Sequence, residues 1–120
     1  MKHGFVTVSA ALLLFCGAAH ADQETGRLER ACSANDAAAC MSLGTIFENG
    51  RGKIKQDGPR AVRYYSKACE FGNGSACGRL GLIYENGTGG IEKSTIQAAK
   101  YFQKGCHVRD RISCAALGRY

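Results

Sequence analysis

The sequence has 120 residues, with 16 lysines and arginines against 10 aspartates and glutamates, and a formal net charge of +6. This length corresponds to one domain with a modest core. The basic residues are scattered, apart from a loose group over residues 51–63 that has no interleaved aromatic side chains before Tyr64 and Tyr65. Because nucleic-acid surfaces combine cations with stacking aromatics, the composition argues against a nucleic-acid partner.

The first 21 residues have the layout of a secretory signal peptide. A weakly basic start precedes the apolar run FVTVSAALLLFC, and the small residues GAAHA then provide an A-x-A cleavage site. The run has about 12 residues, too few for a bilayer span of roughly 20, so stable membrane insertion is not expected. A lipoprotein would use Cys16, but Phe15 is bulkier than the small residue that such processing needs. We therefore predict cleavage after Ala21 and a periplasmic or secreted mature domain over residues 22–120.

The mature chain repeats itself every 37 residues. Two sets of cysteines follow this period in register: Cys32, Cys69 and Cys106, and Cys40, Cys77 and Cys114. Sliding the chain by the period aligns units 27–63 and 64–100 with 13 of 37 positions identical, and it leaves a shortened unit at 101–120. A period of this length indicates a solenoid in which each unit buries its apolar face against the next.

Each unit is predicted to hold two helices, A followed by B. The first well-marked B helix is AAACMSLGTIFEN, and its counterpart one period later is GSACGRLGLIYEN; an Asn-Gly pair typical of helix C-termini closes each. Their predicted N-caps, and that of the third unit, are Asp36, Asn73 and Asp110. Gly44, Gly81 and Gly118 recur inside B helices, where glycine is unfavourable by about 1 kcal/mol. Their recurrence predicts a close backbone approach between helices.

The A helices are predicted over PRAVRYYSKACEF and TIQAAKYFQKGCH, where apolar residues recur at three-and-four spacing. Asp57, followed two residues later by Pro59, marks the start of the first of them. For the second, Ser94 and Gln97 have the spacing of a capping box, in which each side chain binds the other residue's backbone amide.

Six cysteines remain once Cys16 leaves with the signal peptide, and an even number in a small exported chain indicates a disulfide framework. Residues eight apart in one straight helix lie about 12 Å apart, whereas a disulfide needs Cα atoms about 4.4–6.8 Å apart. The N-cap residues place a chain reversal inside each pair. Six cysteines allow 15 pairings. The repeat favours the local one: Cys32–Cys40, Cys69–Cys77 and Cys106–Cys114. An x7 spacing is not that of zinc ligands, so we expect neither a metal nor a cofactor.

The B helix and its loop contain A-x-x-x-L-G-x-x-[FY]-x-N-G-x-G, and the following A helix contains A-x-x-[YF]-[YF]-x-K-[AG]-C. Over residues 27–120 this pattern resembles the Sel-one-like repeat, a relative of the tetratricopeptide repeat, in the cysteine-rich branch typified by the Helicobacter cysteine-rich proteins. The resemblance implies an all-α fold, a short right-handed α-solenoid with one disulfide joining the two helices of each repeat. It also implies a protein-interaction scaffold. Some members of the branch are described as penicillin-binding proteins or weak β-lactamases, which is the alternative function.

The residues themselves give little support to that alternative. No serine of the mature chain is followed three positions later by the lysine of a Ser-x-x-Lys motif. His107 is the single histidine of the mature chain, and we interpret it as a favourable charge near a helix C-terminus. Glu48 and Glu85 occupy equivalent repeat positions, and we interpret them as exposed residues of the B helices. No catalytic residue is predicted.

We predict that the chain binds a protein or peptide on a concave surface built mainly from A helices. The candidate residues of this surface, called the A-helix face below, are Arg60, Arg63, Tyr64, Lys67, Lys100, Tyr101 and Lys104. The third unit reaches Tyr120 within its B helix and no capping helix follows it in the sequence. An exposed apolar end is therefore expected there, and with it self-association.

Overall fold

A computed structural model describes residues 23–120, and the predicted signal peptide, residues 1–21, lies outside the described residues. Six helices follow one another in this range. They are α1 (residues 23–33), α2 (Ala37–Asn49), α3 (Gly58–Glu70), α4 (Gly74–Asn86), α5 (Thr95–His107) and α6 (Arg111–Leu117). Helices α1, α3 and α5 are the A helices, and α2, α4 and α6 are the B helices. The predicted all-α repeat fold is confirmed.

The predicted N-caps form in each case. The side chains of Asp36, Asn73 and Asp110 accept hydrogen bonds from the amides three residues later, at the starts of α2, α4 and α6. At α5 only half of the predicted capping box is present: Ser94 Oγ accepts from the Gln97 amide at 3.2 Å. The Ser94 amide donates instead to the Tyr84 carbonyl oxygen at 2.8 Å, which ties the loop back to α4.

The chain reverses at the same repeat position in every unit. Asn35, Gly72 and Arg109 lie one period apart, and each has a positive φ, between 66° and 91°. This left-handed residue turns the chain tightly enough to bring the A and B helices of the unit together. The Cα atoms of the paired cysteines are consequently only 4.8, 4.8 and 4.5 Å apart in the three successive units. One disulfide inside each repeat, as predicted, links its two helices.

Units stack by packing the B helix of one against the A helix of the next, α2 on α3 and α4 on α5. The rings of Tyr65 and Phe102, both fully buried, fill these junctions. Each ring lies over a glycine of the preceding B helix: a Cβ at Gly44 would meet the Tyr65 ring at 2.5 Å, and one at Gly81 would collide with Phe102. At Gly44 and Gly81, where a close approach between helices was predicted, the atoms nearest to the missing Cβ belong to a ring and not to backbone. Gly118, predicted inside the third B helix, lies just beyond α6 as its C-cap. The ring contact therefore applies to Gly44 and Gly81. These glycines make room for an aromatic ring.

Candidate interaction surface

Two stacked aromatic pairs, one period apart, define the edge of the A-helix face. Phe47 stacks on Tyr64, and Tyr84 stacks on Tyr101, each with ring centroids 5.7 Å apart and planes within 15° of parallel. Each pair joins a B helix to the A helix of the next unit. Tyr64 and Tyr101 are half-buried, so each ring is held by its stacking partner and stays partly accessible. Burial raises the pKa of Tyr84 above its ordinary value, and the nearby Tyr101 hydroxyl raises this pKa further.

Cations lie beside one ring of each pair. The Nζ atoms of Lys100 and Lys104 each lie 5.8 Å from the centre of the Tyr101 ring, within the range of a cation–π contact. The Arg60 guanidinium lies 4.3 Å from the centre of the Phe47 ring, and its Nη2 also lies 3.5 Å from Glu29. An exposed ion pair of this kind contributes little to stability but partly neutralises the arginine.

The seven residues predicted for the A-helix face thus fall into two sets, one on α3 and one on α5. Arg63, Lys100 and Lys104 are exposed, whereas Lys67 is half-buried. Arg60 already contacts both the Phe47 ring and Glu29 within the chain. The face therefore combines tyrosines and arginines, which are residue types enriched in protein interfaces, with lysines, which are not.

A cavity of about 500 Å³ opens beside Arg60, between α1, the loop before α3 and α3 itself. Phe47 and Ile54 form its apolar part, and Asp57 and Lys55 stand at its polar rim. This cavity adjoins the α3 set and extends the candidate surface toward the first unit.

Sequence reasoning missed a polar cluster at the first junction. Glu48, interpreted as an exposed helix residue, has a side chain only 22% exposed. Its Oε1 accepts a hydrogen bond from the Tyr65 hydroxyl at 2.8 Å and another from Arg79 Nε at 3.0 Å. Burial is the main cause that raises the pKa of Tyr65, and the adjacent carboxylate adds to it. The cluster connects α2, α3 and α4.

A second cluster occupies the equivalent place one period later. Glu85, whose side chain is 25% exposed, accepts two hydrogen bonds from Arg119, at 3.0 Å to each carboxylate oxygen. The Tyr120 hydroxyl donates to the same carboxylate at 2.9 Å. These hydrogen bonds, from Arg119 first and then Tyr120, lower the pKa of Glu85. Glu85, like Glu48, was interpreted as exposed, and the equivalence of the two residues in the repeat was the signal that could have pointed to the clusters.

A serine–carboxylate pair lies in the third unit, but it is structural. Ser113 Oγ donates to Asp110 Oδ2 at 2.6 Å, while the Ser113 amide donates to the same oxygen at 3.0 Å. Ser113 is fully buried, so its hydroxyl is closed to a substrate. A Cβ at Gly105 would collide with this side chain. The glycine therefore leaves the room that the serine fills.

Over residues 23–120, no three histidine, cysteine or acidic side chains are grouped so that they would hold a metal ion. Within that same range, none of the helices combines the length and the apolar character needed to cross a bilayer.

The fold defines a class: a solenoid of helix pairs in which each pair is closed by its own disulfide. The family model described as Sel1 repeat matches residues 37–73 and 74–107, more than half of the chain. The chain belongs to the Sel1 repeat family, as the sequence patterns predicted. The family model frames each unit from the B helix, with the same period of 37.

Solved structures of this family are similar to the chain. Helicobacter pylori cysteine rich protein B is 35% identical with a TM-score of 0.71, over 78% of this chain and 68% of that one. A Sel1 repeat protein from Oxalobacter formigenes is 30% identical with a TM-score of 0.71, over 79% of this chain and 38% of the other. A protective antigen of uropathogenic Escherichia coli is 26% identical with a TM-score of 0.70, over 79% and 20%. No curated protein sequence matches the chain at a significant level.

Proposed function

We propose that this protein is an exported adaptor that binds an acidic segment of another protein on the A-helix face. Sel1 repeats generally mediate protein–protein interaction. Five of the seven residues of the face are cations, and its two tyrosines are held in place by stacking. The observation that carries the proposal is the Tyr101 site, where two lysines and an anchored ring are presented together on α5. An anionic chain with apolar side chains complements this site.

Export is supported by the disulfides. Three cysteine pairs at bonding distance fit an oxidising compartment, since cytosolic thiols are generally kept reduced. The signal-like layout of residues 1–21 agrees with this compartment. Cell fractionation of the tagged full-length protein, with mass spectrometry of its N-terminus, tests this part of the proposal. A cytosolic protein that retains residues 1–21 would contradict it.

The binding surface is tested with the oxidised mature protein as bait in an envelope extract. The double variant Arg63→Glu/Lys100→Glu reverses two exposed cations of the face, and Lys53→Glu/Lys93→Glu makes the same charge change in exposed loops. Partners should be captured by the wild type and by the loop variant but lost by the face variant. The captured acidic segment, made as a labelled peptide, should bind with an affinity that falls as salt rises. Equal capture by both variants would refute the A-helix face.

Self-association is the second part of the partner proposal. Ile112 and Tyr120, near the end of the described chain, are 60% and 48% exposed. Sedimentation of the mature protein over a range of concentrations tests this, and Ile112→Ser should weaken any association. A monomer at all concentrations would contradict it.

The alternative function has a direct assay. Hydrolysis of a chromogenic β-lactam by the oxidised protein, above the background rate, would overturn the adaptor proposal in favour of an enzyme.

A further inference from the structure

The three disulfides occupy equivalent positions in the sequence but differ in how far their cysteines are exposed to solvent. Their local geometry is alike: the Sγ atom of the second cysteine lies 3.6 Å from the carbonyl oxygen of the first in both the first and the third unit. The four cysteines of the first two units are at most 6% exposed; they are Cys32, Cys40, Cys69 and Cys77. In the third unit Cys106 is half-buried and Cys114 is exposed.

Neighbouring helices explain this difference. The cysteines of the first two units belong to the main hydrophobic core of the described residues, whereas Cys106 and Cys114 belong to neither of its core clusters. The next A helix covers the second disulfide closely, since a Cβ at Gly105 on α5 would lie only 3.2 Å from the Cβ of Cys77. Among residues 23–120, no A helix follows α6 to cover the third disulfide in the same way.

Charge separates the third disulfide from the others as well. Two exposed arginines, Arg109 and Arg111, lie between its cysteines in the sequence. The equivalent positions of the other two units are uncharged: Asn35 and Ala37, and Gly72 and Gly74. The acidic residue between them, Asp110, is occupied in capping α6. The second disulfide has the exposed Glu70 next to Cys69, and Lys104 and His107 of α5 line the same surface pocket as these two residues. The two arginines are therefore the charge difference between the units. Cations near a disulfide favour the approach of a thiolate and stabilise the thiolate that leaves.

We propose that Cys106–Cys114 is a thiol-exchange site that takes a small anionic thiol of the glutathione class. The thiolate attacks Cys114 Sγ, the more exposed sulfur, and forms a mixed disulfide with it. The Cys106–Cys114 bond breaks, and Cys106 leaves as a thiolate that then takes a proton from water. A second thiolate attacks the sulfur of the bound small thiol, so Cys114 leaves as a thiolate that takes a proton from water, and the two small thiols end as their own disulfide. The first two disulfides stay closed throughout.

The test is a timed reaction of the oxidised mature protein with reduced glutathione, without denaturant. Samples are quenched with an alkylating reagent and mapped by mass spectrometry. We expect Cys106 and Cys114 to open at least about tenfold faster than either other pair, because exchange rates depend on access to sulfur. The first adduct should carry glutathione on Cys114 and the alkyl group on Cys106. Similar rates for all three pairs, or an adduct on Cys106 alone, would overturn the proposal.

The role of the arginines is isolated by comparing a charged and an uncharged thiol on a variant that lacks both arginines. Arg109→Asn keeps a residue type that tolerates the positive φ at this position, and Arg111→Gln removes the next positive charge. The double variant should slow the reaction with glutathione more than the reaction with 2-mercaptoethanol, which carries no additional charge. An equal effect on both thiols would remove charge recognition from the proposal. Circular dichroism of the variant, matched to the wild type, establishes that its fold is unchanged.

Discussion

At the first junction between units, Tyr65 packs its ring over Gly44 and donates its hydroxyl to Glu48. At the second, Phe102 packs over Gly81 in the same way, but it has no hydroxyl to donate. The shape of the two junctions is therefore the same, while their polar chemistry differs.

Tyr120 supplies the hydroxyl that Phe102 lacks at the second junction. Its ring lies 6.1 Å from that of Phe102, and its hydroxyl donates to Glu85. Two residues at the second junction thus share what Tyr65 does alone at the first, one filling the space and the other binding the carboxylate. The repeat thus places a glutamate at the same position in each B helix, but the tyrosine that donates to it can come from a different part of the chain.

Filling the space beneath the rings should have the largest effect. Gly44→Ala and Gly81→Ala each place a methyl group against a fully buried ring, which should lower the free energy of unfolding by about 3 kcal/mol, the upper end of the usual cost of overpacking. Gly118→Ala is the matched control: its Cβ would approach only the Ala115 carbonyl, at 3.4 Å, so a change within about 0.5 kcal/mol is expected. Chemical denaturation measures all three. Equal costs at the three glycines would show that ring packing does not explain them.

Removing the hydroxyl of the first junction should have an intermediate effect. Tyr65→Phe leaves Glu48 without its tyrosine donor, and we expect a loss of about 1–2 kcal/mol because the lost hydrogen bond is to a charged group. The variant keeps the ring and hence the packing over Gly44. Denaturation of Tyr65→Phe, Glu48→Gln and the double variant Tyr65→Phe/Glu48→Gln in parallel gives the coupling energy. Additive losses would contradict direct coupling of the two side chains.

The second junction should be less sensitive, because Tyr120 is 48% exposed whereas Tyr65 is fully buried, and both carboxylates keep an arginine partner. Tyr120→Phe is expected to cost less than about 1 kcal/mol, since the site is near the surface. Phe102→Tyr in the Tyr120→Phe background transplants the arrangement of the first junction and should recover part of the loss. Denaturation midpoints of the two variants compare them. If the transplanted hydroxyl lowers stability further, the junctions are not interchangeable.

The smallest effect should be a dependence on pH. The pKa of Glu85 is lowered in the folded state by Arg119 and Tyr120. Its contribution is therefore complete above the ordinary glutamate pKa of about 4.3, and it is lost as pH falls through the lowered folded value. Glu85→Gln should flatten the difference in unfolding free energy between pH 6 and pH 3 relative to the wild type. An unchanged pH slope would contradict the assigned hydrogen bonds.

Local signals made the fold predictable. The side-chain caps and the eight-residue cysteine spacing are local features of the sequence, and the period of 37 repeats them in each unit. Together they predicted the helix pairs that the structure contains. The role of Gly44 was only half predicted, because the repeat marks the position but not the ring that covers it. The partners of Glu85 are 34 and 35 residues away, in a segment that follows the last helix, and no periodic pattern points to them. The A-helix face stays a prediction, supported by where its cations and rings lie.

The loops between units are closed at their bases by equivalent hydrogen bonds, from the Asp57 amide to the Phe47 carbonyl and from the Ser94 amide to the Tyr84 carbonyl. A Cβ at Gly52, near the tip of the first loop, would meet no atom within 4 Å. A foreign peptide inserted at that tip would leave the hydrogen bond at the base of the loop in place. The disulfide-linked repeats could therefore serve as a small scaffold that presents inserted peptides.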